Sequence, residues 1–438
     1  MEFRVMPGGR LSGEARVPGD KSISHRSIML GSLAEGVTHV SGFLEGDDAL
    51  ATVAAFRAMG VTIEGPVDGV VTIHGVGLHG LQAPAQALDL GNSGTSMRLL
   101  SGLLAGQDFD SELTGDSSLR GRPMGRVMTP LAQMGARIEG QEGDTPPLRI
   151  TGSGSLEAIH YDLPMASAQV KSCVLLAGLY AKGQTSLTEP APTRDHTERM
   201  LRGFGYPVIR DGDGVISLIG GGALQAADIE VPADISSAAF FLVAASIAPG
   251  SELLLAHVGI NPTRIGIINL LRLMGADIEL QDEREVGGEP VADLLVRSAP
   301  LHGIDIPAAE IPLAIDEFPA LFIAAACAEG RTVLRGAEEL RVKESDRIAA
   351  MAEGLTRLGV ANEVLADGII IDGFGASGSF GGGRVASHHD HRIAMSFAIA
   401  ALRADGEIRI DDTDNVATSF PGFDALARGL GLQISAAS

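Results

Sequence analysis

One short pattern constrains this chain more than any other feature: an apolar helix end, a glycine, then a strand, in six ordered copies. It reads FRAMGVTIEG, LAQMGARIEG, LRGFGYPVIR, LRLMGADIEL, LTRLGVANEV and LARGLGLQIS. The glycines are Gly60, Gly135, Gly205, Gly275, Gly359 and Gly431, at intervals of 70 to 84 residues. Gly in that position predicts the left-handed residue that closes a helix, and recurrence at such a period predicts a repeated supersecondary unit. A second pattern interleaves with the first. Ala/Leu-rich helices are predicted to end at Gly36, Gly106, Gly183, Gly250, Gly330 and Gly406, each followed by an alternating strand such as VTHVSG, a second helix and a hairpin such as DGVVTIHG or DGIIIDG. The unit is therefore helix, strand, helix, strand, strand, six times over, and the fold class is α/β with internal repeats.

With 438 residues, two domains are expected rather than one core. No apolar run reaches the roughly 20 residues that span a bilayer, and MEFRVMPGGR lacks the basic start and apolar stretch of a signal peptide. Cys173 and Cys327 sit in apolar runs without metal-ligand spacing, so a reducing cytoplasm is the expected location. A net charge of −22 argues against nucleic-acid or anionic-membrane partners. Any anionic ligand must be met by a few concentrated cations. The chain has only four lysines, Lys21, Lys171, Lys182 and Lys343, and Lys21 and Lys343 lie in its most polar motifs.

Sixteen residues before the glycine that follows an apolar helix stand Asp20, Ser167, Asp234 and Asp390; in the other two copies Asn92 and Asp316 stand fourteen before. These are N-cap residue types, so each apolar helix is predicted to begin there. Asp234 is read as a cap only. The other starts carry further groups: Lys21, Ser22 and Arg26; Gly94 and Arg98; Gln169; Arg392. Helix N-termini offer free N–H groups and partial positive charge, so several brought together would form an anion-attracting centre.

VPGDKSISHR (17–26), LGNSGTSMR (90–98), RPMG (122–125), PMASAQVKS (164–172), TRDHTE (193–198), IDEFP (315–319), RVKESDR (341–347) and DHRIAM (390–395) occur in this order. Together they resemble the 5-enolpyruvylshikimate-3-phosphate synthase family, essentially end to end. The resemblance implies two similar domains, each of three βαβαββ-type repeats (an inside-out α/β barrel), with a substrate cleft between them. It implies residues 1–19 with 234–438 as one domain and 20–233 as the other, with hinges near 19 and 233. The implied partners are shikimate 3-phosphate and phosphoenolpyruvate, the implied state a monomer, and no metal or organic cofactor is called for.

The resemblance also implies roles. Lys21 contacts both substrates. Ser22, Arg26, Ser167, Ala168, Gln169, Arg194, Asp316 and Lys343 bind shikimate 3-phosphate. Asn92, Gly94, Arg122, Gln169, Arg347 and Arg392 bind phosphoenolpyruvate, the guanidinium fork suiting planar oxyanions. Asp316 is the expected base toward the hydroxyl, with Lys343 beside it, and Glu344 the expected proton donor to the methylene carbon. A carboxylate among cations favours its charged form, so Glu344 needs desolvation or a substrate charge to hold that proton.

Arg98, Arg126, Arg264 and Arg341 are set aside as ordinary surface or interdomain pairs, and Lys171 as structural. In the run 388–391, His388 and His389 are expected to be solvated and His391 to pack or to orient a neighbour. The chain departs from relatives at Thr418, where many have a lysine that helps bind phosphoenolpyruvate, and at Glu339, where Asn is frequent. Gly94 lacks the alanine methyl that excludes glyphosate from some relatives. Two rival readings are an enolpyruvyl transferase acting on UDP-N-acetylglucosamine, which typically uses a loop cysteine and Lys-Asn in place of Lys21-Ser22, and a non-catalytic binder of small anions. The pairing of Asp316 with Lys343 and Glu344 argues against a pure binder.

Overall fold

The computed structural model describes residues 1–437, and the chain divides into two compact units. One comprises Gly19–Val231 and Val286–Gly288; the other comprises Met1–Pro18, Pro232–Glu285 and the chain from Glu289 onward. The first unit carries helices α1 (Lys21–Leu33), α2 (Asp47–Ala58), α3 (Gly94–Ala105), α4 (Gly125–Gln133), α5 (Ala168–Gly178) and α6 (His196–Gly203). The second carries α7 (Ile235–Ile247), α8 (Gly266–Leu273), α9 (Phe318–Cys327), α10 (Arg347–Arg357), α11 (His391–Ala400) and α12 (Phe423–Leu430).

Odd- and even-numbered helices differ in kind. Every residue of α7 and of α9 is buried, as is α1 from Ile23 onward. A helix apolar on all sides can only lie inside a core. The even-numbered helices are amphipathic: α10 buries Ile348, Met351 and Leu355 and turns Glu353 and Arg357 outward. Strands cover the buried helices with one face. In Ala34–Ser41, Thr38 and Val40 point inward while Val37 and His39 face solvent. Helices inside and sheets outside make this an inside-out α/β fold.

A full repeat runs Leu88–Asp89, α3, Ser111–Thr114, α4, Arg137–Gln141, Thr145–Thr151, with the first two strands parallel and the last two antiparallel. The six repeat glycines all adopt positive φ, from 76° at Gly205 to 118° at Gly431, which a side chain would strain.

Three details differ from the sequence reading. The apolar helices end before the glycines named for them, at Leu33, Ala105, Gly178, Ile247, Cys327 and Ala400. After α1 and α9 the next alanine is already extended (ψ 161° at Ala34, 156° at Ala328), so the chain has turned into the following strand before the glycine. Asp20, Ser167, Asp234 and Asp390 do cap their helices, but Ser93 caps α3 instead of Asn92, and Glu317 stands at the cap of α9, one residue after Asp316. Asn92 is occupied elsewhere, as described below. In the sixth repeat, Glu2–Val5 lies antiparallel between Ile408–Asp411 and Ile434–Ala437, in the place that the last strand of the repeat takes elsewhere. Ser12–Ala15 likewise pairs with Glu252–Gly259, and Ile229–Glu230 with Ala34–Ser41.

Helices α3 and α5 approach closely at Gly102, where an added Cβ would lie 2.2 Å from the Cys173 carbonyl oxygen. Backbone cannot yield cheaply there. Gly102→Ala is therefore expected to cost about 1–3 kcal/mol, read as a lowered urea midpoint; an unchanged midpoint would contradict this packing.

Candidate active site

Each unit gathers polar groups at the starts of its buried helices. In the unit holding α1 to α6, the first turns of α3 and α5 are cross-linked through side chains. Arg98 Nη1 donates to Gln169 Oε1 at 2.9 Å, and Gln169 Nε2 donates to Thr95 Oγ1 at 3.1 Å. Arg122 Nη2 donates to Asn92 Oδ1 at 2.7 Å and to Ser118 Oγ at 3.2 Å, while Asn92 Nδ2 donates to Asp116 at 2.7 Å. A Cβ at residue 94 would come within 2.9 Å of Arg98 Nη1 and 3.2 Å of Arg122 Nη1. Gly94 thus leaves room for two guanidiniums at a helix N-terminus, a strongly anion-attracting arrangement. Arg98 therefore belongs with the predicted residues rather than with surface pairs. The legible signal was its position one turn after Gly94.

Lys21, at the first position of α1, forms an ion pair with Asp48 of α2. Ser22 is partly exposed and its carbonyl accepts from Arg26 Nη1 at 2.9 Å. Arg26 is buried, donating Nε to Thr197 Oγ1 at 2.7 Å and Nη2 to Ser172 Oγ at 2.8 Å, so it also ties α1 to α5 and α6. Ser167 caps α5, Ala168 begins it, and Arg194 lies half-buried in the loop before α6. His25 was not singled out by sequence. It is fully buried, its Nδ1 2.8 Å from Thr52 Oγ1 and 3.2 Å from Ser96 Oγ, and burial, with Lys21 and Arg26 nearby, holds its pKa well below the usual range.

Lys171 has a structural seat, as its spacing suggests. It is 0% exposed, with Nζ 2.9 Å from Glu198 Oε1, 3.1 Å from Glu189 Oε2 and 3.2 Å from the Thr193 carbonyl. Burial alone would raise the Glu189 carboxyl. The Lys171 ammonium and hydrogen bonds from Thr193 and Arg210 outweigh it and hold the group below its ordinary value.

The other unit centres on Arg347, 1% exposed at the start of α10. Its Nε donates to Asp390 Oδ2 at 2.8 Å, Nη2 to Glu344 Oε2 at 2.6 Å and Nη1 to Asp316 Oδ1 at 3.3 Å. Burial acts to lower its pKa, but the three carboxylates more than offset that and raise it, so the guanidinium stays charged. Lys343 Nζ lies 2.7 Å from Glu339 and 3.6 Å from Asp316. Arg392 Nη1 donates to the Asp316 carbonyl at 3.0 Å and sits 3.7 Å from the buried Glu317. The structure thus brings together Asp316, Lys343, Glu344, Arg347 and Arg392.

Asp390 joins them in a way its cap signature did not reveal. One oxygen caps α11 through the Arg392 N–H, and the other takes Arg347 and Ser345. Asp234 is more than a cap too. It accepts from Arg264 Nη2 at 3.0 Å, the same nitrogen donates to Ser236 Oγ at 2.7 Å, and Ser236 donates to Glu317. Arg264 is therefore a buried side chain with an acidic partner, not a surface residue. Arg341 is bonded to Asp346 and to the carbonyls of Leu365 and Ala366, whereas Arg126 is exposed.

Thr418 turns its hydroxyl to the Asn415 carbonyl at 2.7 Å. His388 and His389 are exposed and His391 is buried; among the described residues no group of three His, Cys, Asp or Glu side chains is arranged to hold a metal ion. Cys173 and Cys327 lie unpaired inside α5 and α9, and burial pushes the Cys327 thiol up to about 12. Among the described residues no helix is long and apolar enough to cross a membrane.

A family model described as EPSP synthase (3-phosphoshikimate 1-carboxyvinyltransferase) matches residues 5–426. A 3-phosphoshikimate 1-carboxyvinyltransferase of Methylococcus capsulatus is 68% identical over 432 residues, covering 99% of this chain and 98% of the relative. The structure of EPSP synthase from Acinetobacter baumannii superposes with a TM-score of 0.92 at 60% identity, covering 100% of both chains. The enolpyruvyl transferase NikO from Streptomyces tendae shares the fold at a TM-score of 0.78 and 19% identity, over 99% of this chain and 98% of its own.

Two outcomes follow from this geometry. Asp390→Ala removes a helix cap and one carboxylate of a buried ion pair, so a loss of about 3–5 kcal/mol is expected in urea unfolding; a loss under about 1 kcal/mol would show the pair to be dispensable. Glu189 has a depressed folded pKa, so its stabilisation is present above the unfolded carboxylate range, near 4.3, and is lost as pH falls through the folded value. Thermal midpoints measured from neutral to acid pH should fall more steeply for the unsubstituted protein than for Glu189→Gln. Parallel curves would remove Glu189 from the acid response.

Proposed function

The chain belongs to the EPSP synthase family, and from that premise we propose that the side chains gathered at its helix starts carry the family's reaction. That reaction transfers the enolpyruvyl group of phosphoenolpyruvate to the 5-hydroxyl of shikimate 3-phosphate in the shikimate pathway, giving 5-enolpyruvylshikimate 3-phosphate and phosphate. O5 loses its proton and bonds to C2 while C3 gains a proton, forming a tetrahedral adduct. Loss of phosphate and of a C3 proton then leaves the enol ether.

The observation that carries the assignment is the gathering of Asp316, Lys343, Glu344, Arg347 and Arg392 in one unit. Asp316, 3.6 Å from Lys343 and 3.3 Å from Arg347, takes the O5 proton. Arg347 and Arg392 receive the phosphoenolpyruvate carboxylate. Glu344 bonds to Arg347 at 2.6 Å. When a substrate carboxylate competes for Arg347, Glu344 loses that partner and gains a like charge nearby; both changes favour its protonated form. Glu344 then protonates C3.

The remaining roles follow from the family. Arg122, Asn92, Gly94 and Gln169 hold the phosphoenolpyruvate phosphate region. Ser22, Arg26, Ser167, Ala168, Gln169 and Arg194 hold shikimate 3-phosphate with Lys343. Lys21 leaves Asp48 to contact both substrates. The acceptor is the phosphorylated shikimate rather than a UDP-sugar, in keeping with Lys21-Ser22 and two helix-buried cysteines. Two unpaired cysteines also fit a cytoplasmic setting, and scattered exposed apolar side chains such as Val67, Ile209 and Val342 fit a monomer.

The test is phosphate release with both substrates and no added metal. Glu344→Gln should lower kcat by about 10²–10⁴ with KM little moved. Arg392→Ala should raise the KM for phosphoenolpyruvate about 10- to 150-fold, the worth of a charge-assisted hydrogen bond. Full kcat in Glu344→Gln would sink its assignment as the proton donor.

A further inference from the structure

We infer that Lys171 is a positioning residue for shikimate 3-phosphate: from inside the protein it sets the loop that presents Arg194. The inference rests on the proposed role of Arg194.

The loop runs from the end of strand Gln184–Thr188 to the start of α6 and reads Glu-Pro-Ala-Pro-Thr-Arg-Asp, residues 189–195. Two prolines fix φ at 190 and 192 and restrict the residues before them, so the segment has little backbone freedom of its own. Thr193, immediately before Arg194, is tied at two points. Its carbonyl accepts from Lys171 Nζ at 3.2 Å, and its hydroxyl donates to Glu189 Oε2 at 2.6 Å, the oxygen that lies 3.1 Å from the same ammonium. Glu189 is held again by Arg210 at 2.7 Å. Beyond Arg194, Asp195 accepts from Arg199 at 2.9 Å, Thr197 accepts from Arg26, and Glu198 returns to Lys171 at 2.9 Å. Backbone on both sides of Arg194 is therefore anchored to one fully buried ammonium and its two carboxylates.

Apolar side chains in place of Lys171, Glu189 and Glu198 together would fill this space without the desolvation that an ammonium and two carboxylates incur, and replacement of a whole buried ionic set is often neutral or stabilising. In a chain with four lysines, placing one here is costly unless the direction of its bonds matters. Only a long flexible cation reaches Glu189, Glu198 and the Thr193 carbonyl from one Cα.

Three substitutions test this: Lys171→Met, similar in length and uncharged; Thr193→Val, isosteric and lacking only the hydroxyl tie; and Arg194→Ala. With phosphoenolpyruvate saturating, the KM for shikimate 3-phosphate should rise about fivefold in Thr193→Val, the effect of one hydrogen bond, and about tenfold or more in Lys171→Met. The kcat and the KM for phosphoenolpyruvate should stay within about twofold. Because Lys171 acts through Arg194, Lys171→Met added to Arg194→Ala should raise that KM no further.

An additive double variant, or an equal rise in the phosphoenolpyruvate KM, would reduce Lys171 to general packing and overturn the inference. An unmoved KM in folded Lys171→Met and Thr193→Val, beside a raised one in Arg194→Ala, would also overturn it. If Arg194→Ala itself leaves the KM unchanged, the assignment of Arg194 to the substrate fails first, and the inference with it. Should Lys171→Met fail to fold, Thr193→Val and its combination with Arg194→Ala decide the question.

Discussion

The apolar helices at the heart of each unit set the terms for everything else. A helix such as α7 or α9, buried along its whole length, has no flank on which to place a charge. Polar groups are confined to its ends, and the first turn demands them because its N–H groups have no partners within the helix. Asp20, Ser93, Asp234 and Asp390 meet that demand while buried themselves. The architecture thus forces the chemistry to the helix starts, where the field already favours anions. A phosphate and a carboxylate suit such a place better than any neutral ligand.

The same confinement requires that the cations be paired. Lys21 has Asp48, Lys343 has Glu339 and Asp316, Arg347 has three carboxylates and Arg392 has Glu317. A buried guanidinium without a counter-charge would be severely destabilising. On the proposed roles, binding an anionic substrate here is therefore an exchange of partners rather than the filling of bare positive charge. That exchange gives the carboxylates their work, because each one displaced or crowded by a substrate anion becomes easier to protonate.

Local rules carried most of the fold and part of the site. The six positive-φ glycines and four of the six predicted caps follow from chemistry within a few residues, and so were legible. The cap of α3 was displaced by one residue because Ser93 and Asn92 are both competent cap types, and what separates them is distant: Arg122 and Asp116 claim Asn92. The side-chain contacts of Arg98 and Arg264 were out of view for a related reason. Their partners Gln169 and Asp234 lie 71 and 30 residues away. The second oxygen of Asp390 was invisible because a cap signature accounts for one oxygen and is silent about the other. The place of Glu2–Val5 within the sixth repeat cannot be read from periodicity either, since the strand that completes the pattern lies at the opposite end of the chain.

At Glu339, where the family resemblance implies a frequent asparagine, the pairing of Lys343 can be followed physically. Lys343 lies closer to it, at 2.7 Å, than to Asp316 at 3.6 Å. The two carboxylates are not equivalent partners. The side chain of Glu339 is 48% exposed, whereas that of Asp316 is 15% exposed and shares Arg347. An exposed ion pair contributes little, since water can replace either partner, while separating the more enclosed pair would strand a charge. Glu339 is thus the partner that an incoming phosphate or hydroxyl displaces at least cost. On the proposed roles, Lys343 turns toward substrate while still beside Asp316, so base and cation remain coupled through the exchange. An asparagine at 339 would leave Lys343 without this holding charge; the glutamate adds a competitor that is weak by exposure. On the proposed roles the extra acid is therefore compatible with the reaction, and its cost falls on the initial capture of the anion rather than on the proton transfers that follow.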